Sequence, residues 1–211
     1  MAFTEDSTLG RREQKKLETR RAIRNAALEL GTQRGVERLT VESIAHAAGI
    51  SPRTFFNYFS SKEDALVADA TEAASQICAL LLERPAEEAP MRALHNAVMD
   101  SPYLGSIQPN RERTLARQRL AQHDPSLMKH QLGKIAQLEH MFADALATRM
   151  GVEVDEDIFP ELLAAMAVSM IRVAIRRWVA NEEQPLYELI DTAFQQCQRL
   201  DAYNAHVLPA S

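Results

Sequence analysis

The residues whose types and spacing carry chemistry lie mostly in the first third of this 211-residue chain. Arg11, Arg12, Lys15, Lys16, Arg20, Arg21 and Arg24 fall within fourteen residues. Such a density of cations is either an electrostatic footprint for a phosphate backbone or a solvated helix face paired with Glu13 and Glu18. Further on, Arg53 and Asn57 stand four positions apart, so on a helix they share one face. An arginine fork suits guanine O6 and N7, and an asparagine amide suits adenine. A phosphate contact is the other role open to Arg53. Residues 1–62 hold 11 Lys/Arg and 7 Asp/Glu, against 13 and 22 in residues 63–211, so the net charge of −5 hides a basic head on an acidic body.

Catalytic constellations are missing. Carboxylate-bridged metal centres in helical bundles use Glu-x-x-His pairs, and none of the six histidines has a glutamate three positions earlier. Glu42 and His46, one turn apart, need no explanation beyond surface pairing. There is no phosphate-cradling glycine loop, no GxSxG and no His-rich or Cys-rich ligand set, so no enzyme, cofactor or metal site is expected. Cys78 and Cys197 have no metal-type spacing and read as small buried hydrophobes rather than a disulfide.

The elements that must position Arg53 and Asn57 are helices. With 32 Ala and 23 Leu against 7 Gly, the composition predicts an all-α chain. From about Lys16, Ile23, Ala26, Ala27 and Leu30 recur at helical spacing until Gly35. Thr40 is placed to cap a short second helix carrying Val41, Ile44, Ala45 and Ala48 and ending at Gly49. Ser51-Pro52 then opens a third helix to about Phe59, and Ser60 and Glu63 are spaced as a capping box for a fourth through Leu82. Two short helices joined by Gly49-Ile50-Ser51 make a helix-turn-helix, whose second member enters the DNA major groove.

Thr40-Val41-Glu42-Ser43-Ile44-Ala45, Ala48-Gly49-Ile50-Ser51, Thr54-Phe55-Phe56-Asn57-Tyr58-Phe59 and Ser61-Lys62-Glu63 together resemble the signature of the TetR (tetracycline-repressor-type) family over about residues 17–66. The resemblance implies an all-helical, homodimeric bacterial transcriptional regulator. Its expected parts are a basic N-terminal extension (1–16), a three-helix helix-turn-helix DNA-binding domain (17–64) and an effector-binding and dimerisation bundle (65–211). The implied function is sequence-specific binding to a palindromic operator in double-stranded DNA, as a repressor released by a small apolar effector. A non-specific architectural DNA-binding protein without effector is the alternative. By the same resemblance, Thr40 and Ser51 present hydroxyls and backbone N–H groups to phosphates, and Lys62 is the family's phosphate-contacting lysine. Arg53 and Asn57 reach base edges, with Thr54 and Tyr58 flanking them. Arg53 stands where the family often has glycine and Phe56 where it often has tyrosine; Phe56, without a hydroxyl, is read as packing.

Beyond Pro85, residues 101–110 read as a polar loop and Arg111 to Gln122 as a helix. Asp124-Pro125 opens a helix carrying Leu132, Ile135, Leu138, Phe142, Ala145 and Leu146. An acidic connection at 153–157 leads to helices over about 158–181 and 185–204, the first reading as buried on most sides from Leu162 to Ala174. Seven of the eight methionines lie in this body, as a pliant ligand lining or as plain core. Arg111, Arg113, Arg117 and Arg119 are either an anion anchor or solvated salt-bridge partners. Met166, Met170, Val173, Trp178, Leu186, Leu189 and Phe194 resemble the family's dimer interface. The longest apolar run, Leu162 to Ile171, is half a membrane span, so a cytoplasmic protein with no membrane partner is expected.

Overall fold

Side-chain caps or prolines open several of the helices. The computed structural model describes residues 10–67, 70–107, 110–181 and 183–198, and among them all regular structure is helical. The helices are α1 (Arg11–Arg34), α2 (Val41–Ala47), α3 (Pro52–Phe56), α4 (Lys62–Leu66), α5 (Thr71–Glu83), α6 (Pro90–Asp100), α7 (Tyr103–Ile107), α8 (Arg111–His123), α9 (Pro125–Met150), α10 (Phe159–Ala180) and α11 (Leu186–Gln198). Pro52, Pro90 and Pro125 sit in the first turn of their helices, where a missing N–H leaves no bond unmade.

The chain divides into two compact units. One comprises Met1–Ala68 with Ala116–Gln131, and the other Asp69–Leu115 with Leu132–Ser211. Residues 116–131, which the expected division gives to the second domain, thus belong to the first unit. Leu127 of α9 and Ala121 of α8 are buried there together with Ile23, Leu39, Ile44, Phe55, Phe59 and Leu66. Burying each of the two phenylalanine rings contributes about 1.5–3 kcal/mol, which matters in so small a core.

In the second unit α10 packs along α11, and both pack on α6. Leu81, Leu94, Leu146, Trp178, Leu186, Ile190 and Phe194 form its buried centre. Two arginines close helix ends inside this unit. Arg111 donates from Nε to Trp178 O (2.9 Å) and from Nη2 to Val179 O (2.7 Å), satisfying carbonyls at the C-terminus of α10. Arg149 gathers the carbonyls of Leu81, Arg84, Pro85 and Glu88 where α5 ends. Arg111 therefore serves the fold by closing the end of α10.

Several boundaries differ from those read in the sequence. The fourth helix is two: α4 stops at Leu66, Val67 turns extended at ψ 143, and α5 starts at Thr71. Ser61, not Ser60, caps α4; its Oγ accepts from Asp64 N at 3.1 Å, and the Asp64 carboxylate accepts from Ser60 N. The polar stretch 101–110 contains the short helix α7 rather than loop alone. On α10 only one side is buried, since Leu162, Met166 and Val173 are 38–48% exposed. Cys78 and Cys197 are free and half-buried. The expected last helix is described to Gln198, and residues 199–204 lie outside the described residues. Among the described residues no helix is long and apolar enough to cross a membrane.

Candidate nucleic-acid interface

The site is built from two helix starts and one short exposed helix. Thr40 Oγ1 accepts from Ser43 N and Ser43 Oγ accepts from Thr40 N, both at 3.2 Å, so α2 opens on a reciprocal capping box. α2 ends where Gly49, at φ 69°, turns the chain. A left-handed residue is needed there, and glycine takes it without a Cβ clash. Ser51 Oγ then accepts from Thr54 N at 3.1 Å and pairs with Thr54 Oγ1 at 2.9 Å, starting α3. Thr40 and Ser51 are exposed at these starts, as the sequence predicts.

α3 ends at Phe56, three residues short of the expected Phe59, because Asn57 N and Tyr58 N turn back to Thr54 O and Phe55 O. The short helix is nevertheless firmly held. Phe55 is fully buried, Phe59 is 2% exposed, and their ring centroids are 5.8 Å apart. Arg53 and Asn57 are both exposed on the side away from this core, Thr54 is partly covered, and Tyr58 packs half-buried against the core. Phe56 corrects the sequence reading: it is 58% exposed and does not pack in the core. Helical spacing gives the reason, since position 56 is three on from Arg53 and one on from Phe55, which puts it on the outer face. The missing hydroxyl, on which the packing expectation rests, carries no information about that phase.

Lys62 lies at the first position of α4 with its ammonium turned inward. Nζ donates to Val36 O and to Leu39 O, each at 2.9 Å, tying down the turn between α1 and α2. Two of its three N–H donors are thereby committed inside the unit. Nearby, Asp124 is held below the usual carboxylate range, first by Ser126 and also by the positive charge of Lys62. The basic cluster on α1 also divides. Arg24 Nη2 donates to Val67 O at 2.9 Å beyond the end of α4, and Arg20 lies over the Phe59 ring at 4.9 Å. Arg11, Arg12, Lys15, Lys16 and Arg21 are exposed along the same helix. The arrangement offers phosphates a line of cations and offers base edges a fork and an amide.

Comparison with known proteins agrees with this geometry. The profile of the bacterial regulatory proteins, tetR family, matches residues 23–68, and that of the MftR C-terminal domain matches residues 88–200. The chain is 32% identical over 192 residues to the HTH-type transcriptional regulator TcmR of Streptomyces glaucescens, covering 88% of this chain and 84% of that protein. It is 27% identical over 189 residues to MftR of Mycobacterium tuberculosis, by name a mycofactocin biosynthesis transcriptional regulator, covering 90% and 92%. Among solved structures it is similar to Thermus thermophilus FadR, a TetR-family transcriptional repressor in complex with lauroyl-CoA, with a TM-score of 0.50 and 22% identity over 91% of this chain and 96% of that one.

Proposed function

Since this chain belongs to the tetR family of bacterial regulatory proteins and is a DNA-binding transcriptional regulator rather than an enzyme, we propose that it is a repressor that reads a palindromic operator as a homodimer and leaves it on binding a small apolar effector. The observation that carries the reading is the exposed Arg53–Asn57 face of α3, held rigid by the buried Phe55 and Phe59. A recognition element needs both polar reach and a fixed platform. In this reading the first unit binds DNA. Arg53 and Asn57 contact base edges, with Thr54 and Tyr58 beside them. Thr40 and Ser51 set the helix starts against phosphates, and Lys62 offers its remaining N–H to a phosphate.

The second unit carries dimerisation and the effector. Phe159, Leu162, Met166 and Val173 form a stripe of exposed apolar side chains along α10, each 38–48% exposed. A two-fold contact would cover such a stripe. Of the residues expected at that interface, Trp178, Leu186, Leu189 and Phe194 are instead buried in the unit's own core, so Met166 and Val173 carry the expectation, with Met170 half-buried beside them. For the effector, support comes from Met91, Met99, Met141, Met150 and Met170, which pack half-buried around the core. Unbranched methionines re-pack around an apolar guest more readily than branched side chains. Release requires that the ligand favour a dimer whose recognition helices are wrongly spaced, because equal affinity for both states shifts nothing.

The test is selection of duplexes from a random pool, followed by titration of wild type, Arg53→Ala and Asn57→Ala on the selected site and on base-substituted versions. A palindrome should emerge, and each variant should relax preference at one position per half-site. Equal binding to every sequence would establish the architectural alternative instead.

A further inference from the structure

Phe56 is the side chain on α3 for which the fold has least use. At 58% exposure it gains little from the core, while its neighbour Phe55 is fully buried. Helical spacing puts it on the outer face with Arg53, three positions before it, and Asn57, one position after. It does have one ring neighbour. The Phe56 ring stands edge-on to Phe55, with centroids 5.5 Å apart and planes at 87°, so a buried ring props an exposed one. An exposed aromatic braced in this way is pre-organised for a partner.

The partner follows by elimination. Phe56 has neither donor nor acceptor, so against DNA it can add only an apolar contact. In the major groove the base pairs offer one apolar group, the C5-methyl of thymine. We infer that Phe56 is a specificity residue that selects thymine at one position of each half-site by covering its methyl group. This rests on the proposal that α3 enters the major groove, and it extends that proposal from hydrogen-bonded readout to an apolar element.

Deoxyuridine isolates the claim because it differs from thymidine by the methyl alone. The experiment replaces each thymine of the selected operator in turn by deoxyuridine and titrates wild-type protein, Phe56→Ala and Asn57→Ala. With wild type, one symmetric pair of thymines should be sensitive, losing about fourfold in affinity per methyl, equivalent to burial of one methylene-sized group. With Phe56→Ala the thymine operator should already be weakened, and the same replacement should then cost less than about 1.5-fold, a double-mutant cycle that closes on the methyl. Asn57→Ala should retain the full deoxyuridine effect. Two outcomes overturn the inference: no thymine whose methyl matters to wild type, or a deoxyuridine effect that survives unchanged in Phe56→Ala. If Asn57→Ala still relaxes its own position in either case, base reading by α3 stands and only the role of Phe56 falls. If wild type does not distinguish sequences at all, both fall together.

Discussion

Replacing Lys62 by methionine separates two things that the ammonium does. The apolar stem and its volume are kept, while the two N–H bonds to Val36 O and Leu39 O, each 2.9 Å, are removed. A hydrogen bond from a charged donor contributes about 1.5–3 kcal/mol. Because both bonds are only part-buried, water recovers part of the loss, and about 2 kcal/mol is the expected cost of releasing the turn. Local opening should then rise roughly thirtyfold, since each 1.4 kcal/mol is a factor of ten. The assay is amide hydrogen exchange across residues 36–47 in DNA-free protein, paired with operator affinity at a series of salt concentrations. Faster exchange should be confined to the α1–α2 turn and α2. The salt slope for operator binding should fall by about 1.8, the loss of one neutralised phosphate from each protomer of the dimer. Unchanged exchange would refute the tying of the turn by Lys62. Faster exchange with an unchanged slope would refute its phosphate contact.

Arg53→Ala should cost about 1–3 kcal/mol on the selected palindrome, with little further loss when the guanine it reads is replaced; uniform weakening on every operator, with a lower salt slope, would make Arg53 a phosphate contact. Leu162→Asp combined with Met166→Asp places carboxylates in the exposed stripe of α10 and should leave the 23.6 kDa chain monomeric in sedimentation equilibrium, where wild type should run as a dimer. The buried His95, stacked on Phe194 at 4.7 Å, gives stability a pH dependence. Burial lowers its pKa from the usual histidine value, against the opposing pull of Asp191, whose Oδ1 is 3.0 Å from Nε2. The folded protein thus prefers the neutral ring. Its contribution is present above about pH 6.5 and lost as pH falls through the lower folded value. Denaturation midpoints should drop as pH falls below about 6.5, and less steeply in His95→Gln.

What the sequence made legible follows from how local each signal is. Thr40, Ser51 and the Gly49 turn depend on neighbours within four residues, so the helix-turn-helix and its starts could be read directly. The exposed pair Arg53 and Asn57 followed from period alone. Lys62 shows where local reading ends: its acceptors lie 23 and 26 residues away, and no pattern around position 62 reveals them. Arg111, with acceptors 67 and 68 residues away, hid its role in the same manner. Helical phase, rather than the missing hydroxyl of Phe56 or the apolar residue types of α10, decides which of these side chains are exposed. Leu162, Met166 and Val173 lie on the opposite side of the helix from the buried Ala164, Ala167 and Trp178. The break after Leu66 carries no proline or glycine, and neighbouring helical patterns merged across it.

In the proposed mode of binding, α3 reads a specific sequence twice, once from each protomer. A single titration addresses it: affinity at one fixed salt concentration for the selected palindrome, for the same duplex with one half-site scrambled, and for a fully scrambled duplex. The palindrome should bind two chains at least about a thousandfold more tightly than the scrambled duplex, as specific complexes do. The half-scrambled duplex should fall between them, because one recognition helix has lost its site. Equal affinity for all three duplexes would contradict the claim and leave only binding through the phosphate backbone.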